Sequence, residues 1–259
     1  MDGLLITGAT GIAAATARLA AARGARVFVV SRDAGECEAL AAELASGGGR
    51  CAWRAADVTD AAAVDAAVAG GAEWLGRVDA CFHVAGMSGR RFGDGPVHEA
   101  TEAGWDATVD VNAKGAFLVS RAVLRAMLAQ APAADGLRGS LLLISSVLAT
   151  APEPRFFATH AYAASKAAVL GLARAMAAYY APHGVRVNAI APGLVRTPMS
   201  RRAQDDPEIA ALLRTKQPLT GAMIDADAVA RAALFLLGGD AAAVTGDALF
   251  VDAGWSVSG

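Results

Sequence analysis

Short apolar runs alternate along the chain with longer segments whose apolar residues recur at helical spacing. The runs predict buried strands at 4–7, 26–30, 51–55, 80–85, 141–145, 185–190 and 248–251. The longer, alanine-rich segments predict helices at about 12–23, 34–46, 60–75, 101–111, 113–130, 161–181 and 225–238. Such alternation predicts an α/β fold: a doubly wound, mainly parallel seven-stranded sheet with helices on both faces.

The whole chain of 259 residues is predicted to be one domain, 1–259, because no linker, repeat or low-complexity tract divides it. Two segments, 87–100 and 192–224, are richer in Gly, Pro and charge and depart furthest from the alternating pattern. We expect the segment 192–224 to form a substrate loop or lid.

Composition excludes several classes of partner. Hydrophobic residues make up 55% and charged residues 19%, so the chain can bury a large core. The net charge of −2 and the dispersed basic residues predict no nucleic-acid partner and no attraction to an anionic membrane. The first residues carry no cationic flank and no apolar stretch has membrane-spanning length, so we expect neither a secretory signal nor a membrane span.

The cysteines and histidines argue against a metal centre. Cys37, Cys51 and Cys81 are odd in number and lack paired spacing, which favours a reducing, cytoplasmic location over a disulfide framework. The four histidines are scattered, and no metal site is predicted.

The segment TGATGIAAA follows the first predicted strand and opens a helix. In doubly wound sheets ligands bind beyond the carboxyl ends of the strands. Gly8 and Gly11 allow a tight turn and a close approach of a pyrophosphate, and the helix N-terminus presents free N–H groups to it. This predicts dinucleotide binding; the alternative is a tight turn that merely needs glycine for positive φ.

The second strand is followed by Ser31, Arg32 and Asp33. An acidic residue here would bind the ribose hydroxyls of NAD, whereas an Arg would accommodate the additional phosphate of NADP. Asp33 with Glu36 is also typical of a helix capping box, and we favour the cap. Arg32 therefore predicts a preference for NADP(H). One alternative is that Asp33 binds the ribose of NAD(H); another is that Arg32 is merely solvated and binds no cofactor.

Tyr162 and Lys166 stand four apart in the apolar run HAYAASKAAVLGL, so they share one helix face. A free phenol is a poor base at neutral pH, but an ammonium group nearby favours its ionised form. The pair can therefore act as a tuned acid/base. The alternatives are an aromatic residue at a helix start and a lysine extended along an apolar face.

In chain order these segments resemble the short-chain dehydrogenase/reductase family, in its short single-domain branch with a Rossmann-type fold, over essentially the whole chain. The matching segments are TGATGIAA, ADVTD, VAG, VDVNAKGAFLVSRAVL, LLLISSV, YAASK, VRVNAIAPGLVRTPM and VTGDALFVDAGWS. The resemblance implies that Tyr162 exchanges a proton with the substrate oxygen, Ser146 donates a hydrogen bond to it, and Lys166 holds the nicotinamide ribose. It also implies that Asn112 holds a water linked to Lys166. Capping of a loop or helix is the alternative for Ser146 and Asn112, and Ser145 is a rival for Ser146.

The resemblance also implies a set of cofactor-binding residues along the carboxyl edge of the sheet. Besides Tyr162 and Lys166, these are Gly8, Thr10, Gly11, Ile12, Ser31, Arg32, Asp57, Val58, Ala85, Gly86, Pro192, Gly193, Val195 and Thr197. The implied activity is hydride transfer between NADP(H) and a small carbonyl or secondary alcohol. The alternatives are an NAD-dependent dehydrogenase of the same family and a non-catalytic nucleotide-binding scaffold protein.

The chain departs from the family pattern at three places. Its glycine loop is one residue shorter, with Gly8, Gly11 and then Ala14. The motif NNAG is replaced by HVAG, in which Val84 cannot tie neighbouring strands through an amide. Ser146 and Tyr162 are sixteen residues apart, which predicts a longer wall beside the substrate.

Aromatic and apolar residues near these motifs are candidates for the substrate pocket. They are Phe92, Leu148, Phe156, Phe157, His160 and Met199; Phe156 and Phe157 could equally anchor a long loop. Arg196, Arg201 and Arg202 either meet an acidic substrate group or form a solvated face. The helices at 115–128 and 167–180 are apolar nearly all round, which predicts a homo-oligomer; the resemblance implies a dimer or tetramer.

Overall fold

The computed structural model describes residues 1–258. Its strands are β1 Gly3–Thr7, β2 Arg26–Ser31, β3 Arg50–Ala55, β4 Ala80–His83, β5 Gly139–Ile144, β6 Val185–Pro192, β7 Val195–Arg196, β8 Ile224–Asp225 and β9 Ala248–Val251. Its helices are α1 Gly11–Ala22, α2 Ala34–Ser46, α3 Ala61–Leu75, α4 Glu102–Val109, α5 Gly115–Ala129, α6 His160–Tyr180, α7 Arg201–Gln204, α8 Pro207–Lys216 and α9 Ala226–Leu237.

The predicted seven-stranded parallel sheet is confirmed within these residues, in the order β3-β2-β1-β4-β5-β6-β9. Alternate strand residues face two apolar layers, as a period of two requires. Leu5 and Leu141 pack with α3, α5 and α6, whereas Leu4 and Leu142 pack with α1, α2 and α9. Strand order reverses between β1 and β4, which opens a crevice at their carboxyl ends.

Strand β4 ends at His83, two residues before the predicted end at 85. The N–H groups of Val84 and Ala85 leave the ladder and donate to Thr7 Oγ1 at 3.0 and 3.1 Å. Strand β6 instead continues to Pro192, which pairs with Val251 on β9. The chain therefore turns early after β4 and late after β6.

The predicted break between helices at 101–111 and 113–130 was wrong. Asp110–Lys114 forms a wide π-helical turn that joins α4 to α5, and Gly115 N–H bonds to the carbonyl of Asp110. Because the helical path continues through it, Asn112 lies inside a helix and does not cap one.

The segment 192–224 is folded around its own small core. Strands β7 and β8 pair within it, and Ile209 and Leu213 of α8 pack with Val147 and Trp255. The buried Gln217 side chain bonds to Leu194 and Ala222 backbone groups. None of the helices in residues 1–258 combines the length and apolarity that a membrane crossing requires.

Candidate functional site

The predicted reacting groups come together at the carboxyl edge of the sheet. Ser146 follows β5, and Tyr162 and Lys166 lie in the first two turns of α6. Lys166 and Ser146 are buried, at 3% and 7% exposure, whereas Tyr162 keeps part of its surface open. The α-helical spacing places Lys166 Nζ 5.7 Å from the centre of the Tyr162 ring.

Burial shifts both titrating groups away from ionisation. It raises the pKa of the Tyr162 phenol, an effect opposed by a hydrogen bond with the Ser146 side chain. It lowers the pKa of Lys166 to about 8. Lys166 Nζ donates to the carbonyl of Ile144 at 3.1 Å. The phenol is therefore protonated at neutral pH, the form that can donate a proton to a carbonyl oxygen.

The two neighbouring serines have different partners. Ser145 Oγ donates to the carbonyl of Lys166 at 2.8 Å, so it fastens α6 to β5. Ser146 Oγ accepts from Leu148 N–H at 3.2 Å and contacts the Tyr162 phenol. Ser146 thus caps its loop and still faces the phenol, whereas Ser145 is directed into the helix backbone.

Asn112 links the segment after β4 to α6. Its Oδ1 accepts from Met87 N–H at 2.9 Å, and its Nδ2 donates to Met87 O at 2.9 Å and to Ser165 Oγ at 3.0 Å. Both amide donors are therefore engaged by protein groups. Its proposed role in holding a water remains a prediction.

The segment Ala85–Gly86 lies close against Asn112 and Lys166, which requires that Gly86 lacks a side chain. A Cβ there would lie 3.0 Å from Asn112 Oδ1 and 3.2 Å from Lys166 Nζ. Nearby, Gly8 has φ 94° and lies against Ala13 and the backbone of Ala85. The turn after β1 and the turn after β4 therefore meet at the crevice.

The first turn of α1 carries the glycine loop that we expect to bind a dinucleotide phosphate. Gly11 has φ 54°, and a Cβ there would touch Thr197, which closes over the loop. Thr10 has an extended backbone and makes no side-chain cap, and Ile12 is partly exposed beside it. The N–H groups at this terminus fit a pyrophosphate, and the residues present fit a nicotinamide dinucleotide.

The residues expected around the adenosine lie at the ends of β2 and β3. Arg32 Nη1 lies 3.9 Å from Asp57 Oδ2, and both side chains are solvent-accessible. The pKa of Asp57 is lowered, first by the Thr59 N–H bond and also by Arg32. Asp33 accepts the N–H of Glu36 and caps α2, as we favoured. Ser31 ends β2.

Three expected cofactor-binding residues are partly committed to packing. Val58 is buried against the start of α5, where a Cβ at Gly115 would lie 2.9 Å from it. Gly193 is closely enclosed by Gln217 and Asp252, and Val195 is buried beside it on β7. Pro192, at the end of β6, leads into this turn. Backbone groups here are also engaged, because Gly193 N–H donates to the carbonyl of Val251 and the carbonyl of Val195 accepts from Ser200 Oγ.

Asp94, which no sequence motif indicated, positions the helix that carries Tyr162. The Asp94 carboxylate is 6% exposed and accepts the N–H groups of Ala161 and Tyr162, each at 2.9 Å. A carboxylate at a helix N-terminus satisfies free donors and complements the helix dipole. Ala161 and Tyr162 lie 67 and 68 residues after Asp94 in the sequence. The only local feature is an acidic residue between Gly93 and Gly95.

Thr7 and His83, which no sequence motif indicated, connect β1 and β4 near Val84, where the family pattern has Asn. Thr7 Oγ1 accepts two backbone N–H groups after β4 and forms a 2.9 Å hydrogen bond with His83 Nδ1. A hydroxyl has one proton, so it donates to Nδ1 and His83 carries its proton on Nε2. Burial and the charge of Lys166 lower the pKa of His83 to about 3, so the ring stays neutral.

The candidate pocket residues have three kinds of surroundings. Leu148, Phe156 and Phe157 pack against the core of the segment 192–224, with the Phe157 ring 5.9 Å from that of Trp255. Phe92 and Met199 are exposed. His160 Nδ1 accepts the N–H of Val97 at 3.0 Å. Within residues 1–258 no group of three or more potential ligands is placed to hold a metal ion.

Comparison with known proteins covers almost the whole chain. A family model described as enoyl-(acyl carrier protein) reductase matches residues 7–256. The chain is 37% identical to 2-(S)-hydroxypropyl-CoM dehydrogenase 3 of Xanthobacter autotrophicus over 95% of this chain and 93% of that protein. It is 38% identical to D-threitol dehydrogenase of Mycolicibacterium smegmatis over 98% and 92% of the two chains. A short-chain type dehydrogenase/reductase from Mycobacterium ulcerans superposes with a TM-score of 0.90 at 30% identity, covering 99% and 90%.

Proposed function

We propose, from the premise that this chain belongs to the short-chain dehydrogenase/reductase family, that it reduces a small carbonyl compound with NADP(H) and catalyses the reverse oxidation. The observation that carries the proposal is the position of a partly open phenol, Tyr162, whose ring centre lies 5.7 Å from Nζ of the buried Lys166 and whose pKa, raised by burial, is lowered in part by the Ser146 side chain. A nicotinamide cofactor supplies the hydride when bound. The protein supplies the proton, the hydrogen bond and the alignment.

Each residue has a part in this proposal that follows from its surroundings. Ser146 donates to the substrate oxygen and stabilises the negative charge that develops there. Tyr162 donates its proton to that oxygen, because burial keeps the phenol protonated. Lys166, beneath the ring, favours the phenolate that remains and binds the ribose hydroxyls. Asn112 holds the Gly86–Met87 backbone in place.

The reaction is tested with a panel of ketones, aldehydes and secondary alcohols, followed by nicotinamide absorbance with each cofactor. Tyr162→Phe keeps the ring and should bind cofactor with unchanged affinity while kcat falls about a hundredfold or more. Tyr179→Phe, which alters an exposed phenol at the other end of α6, is the matched control. Equal turnover by wild type and Tyr162→Phe would favour the non-catalytic alternative or another proton donor.

The preference for NADP(H) is proposed from Arg32 and Asp33 together. Arg32 is exposed at the end of β2 with only a 3.9 Å ion pair to hold it, whereas Asp33 is engaged as a helix cap. Arg32→Ala should weaken NADPH binding about tenfold and NADH binding much less. Asp33→Asn retains a capping side chain and should alter neither affinity; a loss of NADH affinity would instead favour the NAD-dependent alternative.

We further propose that the protein self-associates through α5 and α6. Three large apolar or aromatic side chains on these helices are exposed: Phe117 and Leu128 on α5 by 47% and 40%, and Tyr179 on α6 by 67%. Exposed apolar side chains that share one surface are typical of a protein–protein contact. Sedimentation equilibrium should give a dimer or tetramer, and Phe117→Glu should lower the association state. A monomeric wild type would contradict this.

The cytoplasmic location also remains a proposal. It is supported by Cys37, Cys51 and Cys81, which are all free thiols. Cell fractionation with an antibody against the protein tests it, and recovery outside the cytoplasm would contradict it.

A further inference from the structure

Two arginines from different segments converge on one backbone oxygen. Arg90, in the 3₁₀ turn after β4, donates to the carbonyl of Phe156 at 2.5 Å. Arg202, on α7, donates to the same oxygen at 3.1 Å. Both side chains are otherwise exposed.

The shared carbonyl is held in a fixed direction. Glu153, which is 6% exposed, accepts the N–H groups of Arg155 and Phe156 at 3.0 and 2.7 Å. The Phe156 N–H is therefore bonded to Glu153, and the Phe156 carbonyl accepts from the two arginines. The buried Glu153 thus holds the backbone turn that both arginines bind.

The charge on this pair is not balanced by an ion pair. Among the described residues Arg90 and Arg202 form no salt bridge, whereas Arg155 beside them pairs with Glu208 at 2.9 Å. The pKa of Arg90 is lowered overall. Burial lowers it most and the charge of Arg202 lowers it further, while the charge of Asp94 partly opposes both effects. Asp94 uses its two oxygens on α6. One neutral carbonyl cannot neutralise two guanidinium groups, which keep further donors for an oxyanion.

The segments that carry the pair are close in sequence to residues of the proposed substrate cleft. Arg90 follows Gly86, which lies against Lys166, by four residues. Phe156 precedes Tyr162 by six residues, and Arg202 follows Thr197, which lies over Gly11. In the chain the three segments follow β4, β5 and β7, and Ser146 and Tyr162 also follow β5.

We propose that Arg90 and Arg202 bind an oxyanionic group, a carboxylate or phosphonate, carried by the substrate away from its reacting carbonyl carbon. The proposal rests on the proposed reductase function and names its substrate class: oxo acids and the corresponding hydroxy acids. Two guanidinium groups can share such an anion, which relieves their mutual repulsion.

The experiment measures kcat/KM for levulinate, its longer oxo acid homologues, the methyl ester of each and the matching oxo phosphonates, with saturating cofactor. At one chain length the acid should exceed its ester about tenfold or more. Arg90→Gln and Arg202→Gln should each lower kcat/KM for that acid about tenfold, mainly through KM, and change the ester less than about twofold. Arg155→Gln, whose partner is Glu208, should leave the acid-to-ester ratio unchanged.

Each other result has a defined meaning. Equal losses for acid and ester would show that the arginines only fasten α7 to the Phe156 loop, and no preference for any acid in wild type would overturn the proposal directly. A preference confined to phosphonates would assign the subsite to phosphoryl groups. If neither the acids nor the neutral carbonyl compounds are turned over, the proposed function fails. Calorimetric titration of the same acids into the wild type and the Arg90→Gln/Arg202→Gln double variant then decides the subsite, since equal affinities would refute it.

Discussion

The two ends of the proposed cofactor cleft hold their charged groups in opposite ways. At the catalytic end Lys166 is 3% exposed, and burial lowers its pKa to about 8. At the adenosine end the side chains of Arg32 and Asp57 are 70% and 39% exposed and 3.9 Å apart. Buried charges respond strongly to neighbours, whereas exposed pairs contribute little and are screened by salt. The catalytic end is therefore suited to chemistry and the adenosine end to selection between cofactors.

The largest effect should come from Ser146. Ser146→Ala removes the donor beside the phenol and should lower kcat about a hundredfold to a thousandfold, with little change in cofactor affinity. Ser145→Ala removes only the bond to the Lys166 carbonyl and should lower kcat less than about tenfold. Steady-state kinetics of both variants test this, and a larger loss for Ser145→Ala would reverse our assignment.

The next effect should come from the cap on α6. Asp94→Ala leaves two buried N–H groups unpaired, so the unfolding free energy should fall by about 1–2 kcal/mol. Because the Tyr162 hydroxyl moves with the first turn, kcat should also fall about tenfold with KM nearly constant. Asp60→Ala is the control, since Asp60 caps α3 with two similar bonds and α3 carries none of the proposed reacting groups.

Denaturant unfolding and steady-state kinetics separate the two capping roles. Asp60→Ala should lower stability by up to about 1 kcal/mol and leave kcat within about twofold. Similar kcat values in both variants would mean that Asp94 acts only on stability.

A smaller effect is expected from salt at the adenosine end. Raising ionic strength from about 0.05 M to about 0.5 M shortens the Debye length from about 14 Å to about 4 Å, which screens exposed charges more strongly. The Kd for NADPH should rise several-fold while that for NADH changes less, and kcat at saturation should stay constant. Fluorescence titration of both cofactors measures this. An equal change for the two cofactors would show that Arg32 does not contribute to the preference for NADPH.

The last effect concerns the dependence of stability on pH at Lys166, and it leaves the chemistry at either end of the cleft aside. Its pKa is lowered from 10.5 to about 8 in the folded protein, so below pH 8 the fold holds a charged amine that burial disfavours. Between those values the unfolded chain binds more protons, and stability from this group rises with pH. Lys166→Met should therefore unfold at a higher Tm than wild type at pH 7, and the difference should shrink toward pH 10. A constant difference would show that the pKa is not lowered.

The strands and the Tyr162–Lys166 pair could be predicted from sequence because both depend on local spacing. Periods of two and of 3.6 residues are properties of a strand and a helix, and residues four apart share a helix face wherever the helix lies. The continuous helical path through Asn112 could not be predicted, because a wide turn is stabilised by its neighbours and not by a residue pattern. Nor could the pattern distinguish Ser145 from Ser146. The two serines differ in their partners on α6, which are the Lys166 carbonyl for Ser145 and the Tyr162 phenol for Ser146.

The amino-acid sequence by itself determined the sheet, its helices and the line of reacting groups, since each follows from short-range periodicity and short motifs. Tertiary structure alone decided that Asp94 caps the helix of Tyr162, that Thr7 and His83 tie β1 to β4, and that Arg90 and Arg202 share the Phe156 carbonyl. These contacts join residues 46 to 76 positions apart. At such separations partners are chosen by how packed elements meet, which no local pattern records.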